Sequence, residues 1–371
     1  MTPEEINRYN RHIRLPEIGL AGQERLRQAR VALIGAGGLG CPVGQYLAAA
    51  GVGRLGIIDG DRVEASNLQR QILFAPEHIG QSKADVAARW LARQNPHIEV
   101  ISHAVFLDRT NALELLAPYD LIIDGSDNFA TRYLVNDASV LLGKPLVVGS
   151  IYQFEGQVSV FNYQDGPTYR CLYPEASELA TCSEVGVLGV LPGMTGCLMA
   201  NEAIKLLTGI GTLLSGTVLV FNALTCSFDT FSFAANPANR TLKSLPEPVP
   251  VCADTWPEIG PEELPDWLQR ADKPLLLDVR EPAEYEQDNI GGQLLPLADL
   301  LQHPTQVPAD RPVVIHCQSG GRSRQAIQFL WQRGYRNVVN LRGGLNACRS
   351  RSATYGSLYL GQRPNRIGLL P

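Results

Sequence analysis

A glycine-rich segment near the start of the chain constrains its fold more than any other feature. Residues 31–61 run from an aliphatic stretch through a glycine cluster and an alanine-rich stretch to a second aliphatic stretch, which ends at Asp59. This order predicts strand, turn, helix and strand, the opening of a nucleotide-binding α/β fold with a phosphate at the helix start. The pattern leaves redox, methyl-transfer and nucleotidyl-transfer chemistry open. The glycines are Gly35, Gly37, Gly38 and Gly40.

Composition excludes several classes of protein. The 371 residues are enough for two domains of roughly 100 to 200 residues each. The net charge of -5 gives no electrostatic case for nucleic acid or an anionic membrane as a partner. The charged N-terminus and the lack of an apolar run of about 18 residues predict neither a signal peptide nor a membrane span. Eight cysteines without a secretory signal favour a reducing compartment, so we expect a cytoplasmic protein.

The order of predicted elements indicates an α/β fold in two domains. Strands alternate with helices up to about residue 150, and period-two alternation from Gln157 onward predicts antiparallel strands, so we expect a mixed sheet. Residues 246–261 are rich in proline, which predicts a linker. We therefore expect a Rossmann-like nucleotide-binding domain over 1–245, a small α/β domain over 262–350 and a tail over 351–371.

Charged residues that follow the glycine segment indicate chemistry at a phosphate. Arg70 ends a polar loop, Lys83 begins a predicted helix, and Asp127 follows another predicted strand. Two cations and a carboxylate able to hold Mg²⁺ suit attack on a phosphate, because negative charge accumulates on the phosphate oxygens. Each residue alone is better explained as a salt-bridge partner, but their joint occurrence in a nucleotide scaffold favours catalysis.

Three stretches of sequence resemble the MoeB/ThiF family of sulfur-carrier adenylyltransferases, which are relatives of the ubiquitin-activating enzymes. They are RYNRHI, the glycine segment with its continuation through RVEASNLQRQ, and DGSDNFATR, and the resemblance runs from about Tyr9 to about Ser232. It implies ATP-dependent adenylation of the C-terminal glycine of a small ubiquitin-like sulfur carrier that ends in Gly-Gly. The reaction joins a carboxylate and a triphosphate, so a site lined by cations is what it requires.

The resemblance also implies roles for particular residues. Asp59 would bind the ribose, Asp127 would hold Mg²⁺ with the ATP, and Arg11 would act across the interface of a homodimer. The catalytic set that it implies in this domain is Arg11, Arg70, Lys83, Asp127 and Cys182. The nucleotide-binding set is Gly35, Gly37, Gly38, Gly40, Asp59, Ser66, Asn67, Leu68, Gln69, Arg70, Lys83, Asp127 and Asn128.

The cysteines of the first domain divide into two groups. Cys182 matches the cysteine of the family's crossover loop, which in some members bonds to the activated carrier, and its polar setting favours a function. Cys41, Cys197 and Cys226 are expected to be small buried side chains.

The expected zinc ligands of the family are missing from this sequence. Family members commonly bind a structural zinc through two C-x-x-C pairs, whose four thiolates suit tetrahedral zinc. Here the first pair reads Thr168-Tyr169-Arg170-Cys171, and the second region, residues 236–241, has no cysteine. We therefore expect no structural zinc, with Cys171 as a single remaining thiol.

The segment HCQSGGRS in the second domain indicates sulfur chemistry. It places Cys317 between a predicted strand and a predicted helix over residues 324–333, where loop amides and the helix N-terminus can stabilise an anionic persulfide. The segment resembles the active loop of rhodanese, a sulfurtransferase. Tyrosine phosphatases put five residues between cysteine and arginine, whereas four separate Cys317 from Arg322, so sulfur transfer is favoured and both residues are catalytic candidates.

Neighbouring residues support the same resemblance with one departure. Asp278 and Arg280 match the framework motif of rhodanese and are expected to tie the loop together, and His316 is expected to pack beside it. Cys348 stands where an aromatic residue of the closing turn is usual, so the end of this domain departs from the family pattern.

The combination of the two domains predicts a carrier thiocarboxylate as the product. Adenylation makes an electrophilic acyl phosphate, and a persulfide delivers the sulfur, for molybdopterin, thiamine or related sulfur metabolism. A persulfide donor such as a cysteine desulfurase would supply that sulfur. Two alternatives remain at this point: a rhodanese unit that only docks the sulfur donor, and a regulatory protein that binds a nucleotide without catalysis. A nicotinamide dehydrogenase would leave the phosphate-facing cations unexplained.

Overall fold

The computed structural model describes residues 1–174, 186–246 and 257–349, and it divides the chain into two compact units. The units span Met1–Val251 and Cys252–Pro371. Cys182, most of the predicted linker and the predicted tail over 351–371 lie outside the described residues. None of the helices within those described ranges is long and apolar enough to cross a membrane.

The first unit is built on a mixed sheet of eight strands, in the order β3-β2-β1-β4-β5-β6-β7-β8. The five strands from β3 to β5 are parallel, and the last three are added antiparallel. This sheet confirms the Rossmann-like fold with a mixed sheet that the sequence predicts. The strands are β1 (Arg30–Ile34), β2 (Arg54–Ile58), β3 (Glu99–His103), β4 (Leu121–Asp124), β5 (Leu146–Tyr152), β6 (Glu155–Phe161), β7 (Thr217–Asn222) and β8 (Ser227–Ser232).

Helices cover both faces of the parallel part of this sheet. The side chains of β1 alternate between two apolar clusters, with Val31 and Leu33 in one and Ala32 and Ile34 in the other. Burial on both faces explains why this strand is a continuous aliphatic run instead of an alternating one. The helices are α1 (Pro3–Arg8), α2 (Asn10–Ile13), α3 (Gly19–Gln28), α4 (Gly40–Ala50), α5 (Lys83–Gln94), α6 (Ala112–Leu116), α7 (Phe129–Leu142), α8 (Tyr169–Leu172) and α9 (Leu191–Thr208).

The residues at the positions of the missing C-x-x-C pairs do lie together. The sulfur of Cys171 accepts hydrogen bonds from the backbone N–H of Asn236 at 3.2 Å and from Nδ2 of Asn239 at 3.4 Å. The backbone N–H of Thr168 also donates to it at 3.4 Å. Partial burial alone would raise the pKa of the Cys171 thiol, but hydrogen bonds from Thr168, Asn236 and Asn239 lower it. Within the described ranges no three His, Cys, Asp or Glu side chains are grouped to hold a metal ion.

Two of the three cysteines expected to be buried are exposed. Cys41 is buried at the start of α4, as predicted, but Cys197 and Cys226 are exposed. Cys226 lies in the turn between β7 and β8 with φ of +54°, so the hairpin carries it away from the core. Cys197 lies on α9, an apolar helix that the rest of this unit buries only in part, and Cys197 is on the exposed part. Hydropathy alone therefore placed both residues wrongly.

The second unit is a five-stranded parallel sheet with helices, in the strand order β11-β10-β12-β13-β9, which confirms a small α/β domain. Its strands are β9 (Glu258–Ile259), β10 (Leu275–Asp278), β11 (Gln293–Leu294), β12 (Val313–His316) and β13 (Val338–Leu341). Its helices are α10 (Leu264–Leu268), α11 (Pro282–Gln287), α12 (Leu297–Gln302), α13 (Gly321–Gln332) and α14 (Gly344–Arg349).

Two element boundaries in this unit differ from the expectation. Strand β9 falls inside the predicted linker over 246–261, because two residues that pair with Asn340 and Leu341 are too few to show a period in the sequence. Helix α13 begins at Gly321 instead of Arg324. Gly320, with φ of +98°, makes the turn that allows the helix to follow the cysteine loop directly.

Candidate active site

The glycine turn joins β1 to α4 through very close backbone contacts. Gly35 has φ of +84°, and a Cβ there would lie 3.1 Å from the carbonyl oxygen of Gly125. A Cβ on Gly40 would lie 1.9 Å from the carbonyl oxygen of Gly35. No side chain fits between these backbones, so the turn can close only with glycine at these positions.

Asp59 follows β2 and binds the backbone on two sides. Its Oδ2 accepts a hydrogen bond from the N–H of Ala36 in the glycine turn at 2.7 Å, and its Oδ1 accepts one from the N–H of Asp61 at 2.8 Å. Burial raises the pKa of Asp59. The carboxylate is thus held at the carboxyl ends of the parallel strands, the side on which open α/β sheets bind ligands.

A cavity at this edge of the sheet brings together most of the predicted nucleotide-binding residues. It extends from the glycine turn to the ends of β2 and β4 and also includes the apolar segment 105–107. Two predicted carboxylates, two predicted cations and the glycine turn thus share one cavity. The predicted residues that line it are Gly35, Gly37, Gly38, Asp59, Arg70, Lys83, Asp127 and Asn128.

The two cations reach the cavity from different elements. Lys83 is the first residue of α5 and is buried, and its Nζ lies 3.0 Å from Oδ2 of Asp61. Arg70 follows a short 3-10 turn, and its Nη1 donates to the carbonyl oxygen of Ser66 at 3.0 Å. Both side chains line the same cavity as the exposed residue Asp127.

The remaining predicted residues do not line this cavity in the described structure. The turn that positions Arg70 contains Ser66, Asn67 and Leu68. Gly40 packs against the backbone of Gly35 within the glycine turn. Gln69 precedes Arg70, and its oxygen atoms face Gly189 instead of the cavity. Arg11 lies on α2 and is not among the cavity residues of its own chain.

The structure adds residues that the sequence analysis did not identify. Arg132, on the first turn of α7, lines the cavity and donates from Nε and Nη2 to the carbonyl oxygen of Ser126, at 3.3 and 2.9 Å. Asp124 lies beneath it, and burial raises the pKa of that carboxyl group. Arg132 stands one helical turn after Asn128 in the sequence DNFATR, so helical spacing was a signal that could have identified it. Asp61 had no such signal.

The cysteine loop of the second unit lies between β12 and α13. Cys317 is buried, and its sulfur accepts a hydrogen bond from the N–H of Gly320 at 3.2 Å. Oγ of Ser323 lies 3.8 Å from the same sulfur and donates to Oδ1 of Asn340 at 2.6 Å. His316 is buried beside the loop, as predicted, and burial lowers its pKa, so it is neutral near pH 7.

The arginines around this loop are held by carboxylates. Arg322 binds both oxygens of Glu284, at 2.6 and 2.7 Å, and these hydrogen bonds lower the pKa of Glu284. Arg280 is buried against Asp278 and donates from Nη1 to Gln318 of the loop at 2.9 Å. Asp278 and Arg280 therefore tie the loop together, as their motif implies, and Arg322 is directed to Glu284.

Together, the fold and the cavity define an α/β protein of the nucleotide-binding type, with charged residues in its cavity, joined to a small α/β domain with a cysteine loop. The ThiF family matches residues 9–242, and the rhodanese-like domain matches residues 260–351. The chain therefore belongs to the ThiF family and carries a C-terminal rhodanese-like domain.

Two similar proteins span nearly the whole chain, and a third spans about two thirds of it. A probable adenylyltransferase/sulfurtransferase MoeZ from Mycobacterium tuberculosis is 44% identical over 367 residues, covering 94% of this chain and 93% of that protein. Adenylyltransferase and sulfurtransferase MOCS3 of Drosophila grimshawi is 38% identical and covers 94% of this chain and 84% of that protein. A sulfur carrier protein adenylyltransferase of Thermus thermophilus is 52% identical over 68% of this chain and 93% of its own length.

Solved structures agree on the fold. The crystal structure of E. coli MccB superposes with a TM-score of 0.58 at 22% identity, covering 67% of this chain and 77% of that one. The structure of PaaA gives 0.54 at 23% identity, with 64% and 76% coverage. At these identities the likeness supports the fold alone.

The close contact at Gly40 yields a direct test of the glycine turn. Gly40→Ala should lower the free energy of unfolding by about 3 kcal/mol and weaken ATP binding, because its Cβ would overlap the carbonyl oxygen of Gly35. Urea unfolding and equilibrium dialysis with ATP measure the two effects. Gly193→Ala is the control, since no atom lies within 4 Å of that Cβ in α9. Equal stability of the two variants would contradict the close contact.

Proposed function

We propose that the protein adenylates the C-terminal glycine of a ubiquitin-like sulfur carrier with ATP and then converts it to a thiocarboxylate with sulfur from Cys317. It is an adenylyltransferase with a sulfurtransferase domain. The observation that carries the proposal is the convergence of Asp59, Arg70, Lys83 and Asp127 on the glycine turn, in a chain that also holds a rhodanese-like cysteine loop. The relatives named adenylyltransferase and sulfurtransferase support it.

The first reaction joins two anions, which the cavity is suited to do. An oxygen of the carrier's carboxylate attacks the α-phosphorus of ATP, the bond from that phosphorus to the bridging oxygen breaks, and pyrophosphate leaves. Arg70 and Lys83 offset the repulsion between the reacting anions and the charge that forms on the leaving group. The glycine turn lets backbone amides approach the phosphates, and Asp59 is placed for the ribose hydroxyls.

A magnesium ion fits this site by its donor set. Asp127 is an exposed carboxylate on the cavity wall, and Mg²⁺ is usually bound by one or two carboxylates together with substrate phosphates. When bound there, the ion would supply positive charge to the phosphate oxygens. Asp127 would hold the ion, whereas Oδ1 of Asn128 accepts a hydrogen bond from the N–H of Thr131 at 2.9 Å and so caps α7.

The second reaction moves sulfur to the activated carrier. The terminal sulfur of a Cys317 persulfide attacks the acyl carbon, AMP leaves, and an acyl disulfide forms. An external thiol then attacks the sulfur of Cys317, releases the carrier thiocarboxylate and is oxidised to a disulfide with Cys317. A second molecule of thiol reduces this disulfide and frees the Cys317 thiol, to which a persulfide donor such as a cysteine desulfurase transfers its outer sulfur. The pathway served would be that of molybdopterin, thiamine or a related sulfur-containing product.

We further propose a homodimer with two composite sites, in which Arg11 reaches the cavity of the partner subunit. Arg11 lies on α2 outside the cavity of its own chain, so it contributes to adenylation only from a second copy. Arrangement about a two-fold axis would give each cavity one such arginine.

The adenylation residues are tested by exchange of pyrophosphate into ATP in the presence of the carrier. Arg70→Ala and Asp127→Ala should each lower the exchange rate roughly 100-fold or more, because each removes a charge that acts on the phosphates. Circular dichroism should show an unchanged fold. Arg30→Ala, which removes an exposed arginine paired with Asp120, is the control and should exchange normally. Near-normal exchange in either cavity variant would refute its proposed role.

The composite site is tested by mixing two inactive proteins. Arg11→Ala and Asp127→Ala should each be inactive alone. After subunit exchange, half of the dimers would be mixed and one of their two sites would hold both residues, so about a quarter of wild-type activity should return. Mixing Arg70→Ala with Asp127→Ala is the control, because both residues come from the same chain and no intact site can form. No recovery from the first mixture would exclude the composite site.

A variant of Cys317 distinguishes the activity of the first domain from that of the second. Cys317→Ser should still make thiocarboxylate when sulfide is supplied, because adenylation is intact, and should make none from a persulfide donor. Mass spectrometry of the carrier measures both. Cys226→Ser, which changes an exposed cysteine in a hairpin turn, is the control. If Cys317→Ser still uses the persulfide donor, the rhodanese-like domain only docks that donor, which is the alternative function.

A further inference from the structure

Lys83, which binds phosphate in the proposed mechanism, is paired with Asp61, a carboxylate that the mechanism does not use. Oδ2 of Asp61 lies 3.0 Å from Nζ of Lys83, and both side chains line the cavity. The pairing is asymmetric, because 8% of the lysine side chain is exposed compared with 55% of the aspartate side chain. A buried ammonium group is strongly destabilised without a partner, whereas a half-exposed carboxylate can turn to water at little cost.

The backbone fixes these two residues next to each other. The N–H of Lys83 donates to the carbonyl oxygen of Asp61 at 3.0 Å, and residues 61–63 run alongside residues 80–83 in a short antiparallel contact. The N–H of Asp61 in turn donates to Oδ1 of Asp59, whose Oδ2 binds the glycine turn. Asp61 is therefore positioned by the same carboxylate that is placed for the ribose.

We propose that Asp61 is a positioning residue that occupies Lys83 whenever phosphates are absent and competes with them for it. This inference rests on the proposed function, because it concerns the phosphates of ATP. Lys83 is paired with Asp61 in the structure. Entry of the triphosphate draws Nζ to the phosphate oxygens, and the Asp61 carboxylate turns to solvent. When pyrophosphate has formed, Asp61 takes the lysine back and so favours release of the product.

The competition has a measurable consequence for affinity. Replacing Asp61 by the isosteric asparagine keeps a hydrogen-bond acceptor near Nζ but removes the negative charge that opposes the phosphates. Asp61→Asn should therefore bind inorganic pyrophosphate and ATP roughly three- to tenfold more tightly, the effect of one charge in a partly exposed site. If pyrophosphate release limits turnover, kcat should fall while the KM for ATP falls with it.

The experiment measures the Kd of the full chain for pyrophosphate and ATP by calorimetry with Mg²⁺ present. Asp61→Ser removes the charge and shortens the side chain so that it no longer reaches Nζ of Lys83, and it should also tighten binding. It replaces the asparagine variant if that variant is poorly folded. Asp120→Asn is the matched control, because it removes one carboxylate from an arginine pair on the surface and should leave both Kd values unchanged.

A double variant tests whether the effect passes through the lysine. ATP keeps its adenosine contacts in Lys83→Met, so its Kd remains measurable. In that background, Asp61→Asn should change the Kd for ATP by less than twofold. Unchanged or weaker binding in Asp61→Asn, or the same tightening in the Lys83→Met background, would overturn the inference while leaving adenylation intact. Failure of the wild-type chain to bind ATP would instead overturn the proposed function.

Discussion

The close approach of three backbone segments at the glycine turn is the contact on which the rest of the first unit depends. The carbonyl oxygen of Gly35 lies where the Cβ of any larger residue at Gly40 would stand, and Gly35 itself packs on Gly125 after β4. This contact sets the start of α4 against the ends of β1 and β4. Because Asp59 binds the N–H of Ala36, the end of β2 is fixed to the same turn. Three strand ends thus meet around one glycine loop.

Two cations near this loop each have a partner within the protein. Lys83 is held by Asp61, and Arg132 is held by the carbonyl oxygen of Ser126. A preorganised site must keep its cations in place before the substrate arrives, and buried cations require a partner during that time. Asp61 is suited to both needs, because 55% of its side chain is exposed and water can solvate the carboxylate if Lys83 turns to another anion.

The sequence predicts local and periodic features well and long-range ones poorly. The strand, turn and helix over residues 31–61 were predictable because glycine and aliphatic patterns report local backbone demands, and both sheets follow from such patterns. The exposure of Cys197 and Cys226 was not, since it depends on which faces other elements cover. The pairing of Asp61 with Lys83 joins residues 22 positions apart in the chain, and no sequence period connects them.

The arginines around Cys317 bear on the choice between sulfur and phosphate there. A phosphate dianion in such a loop needs an arginine free to donate two hydrogen bonds. Arg322 already donates both to Glu284, and Arg280 is buried against Asp278. The loop offers the cysteine sulfur a backbone N–H, from Gly320, which suits a compact anion with a single reactive sulfur. The pairing of both arginines with carboxylates and the four-residue spacing therefore both favour a persulfide over a phosphate group.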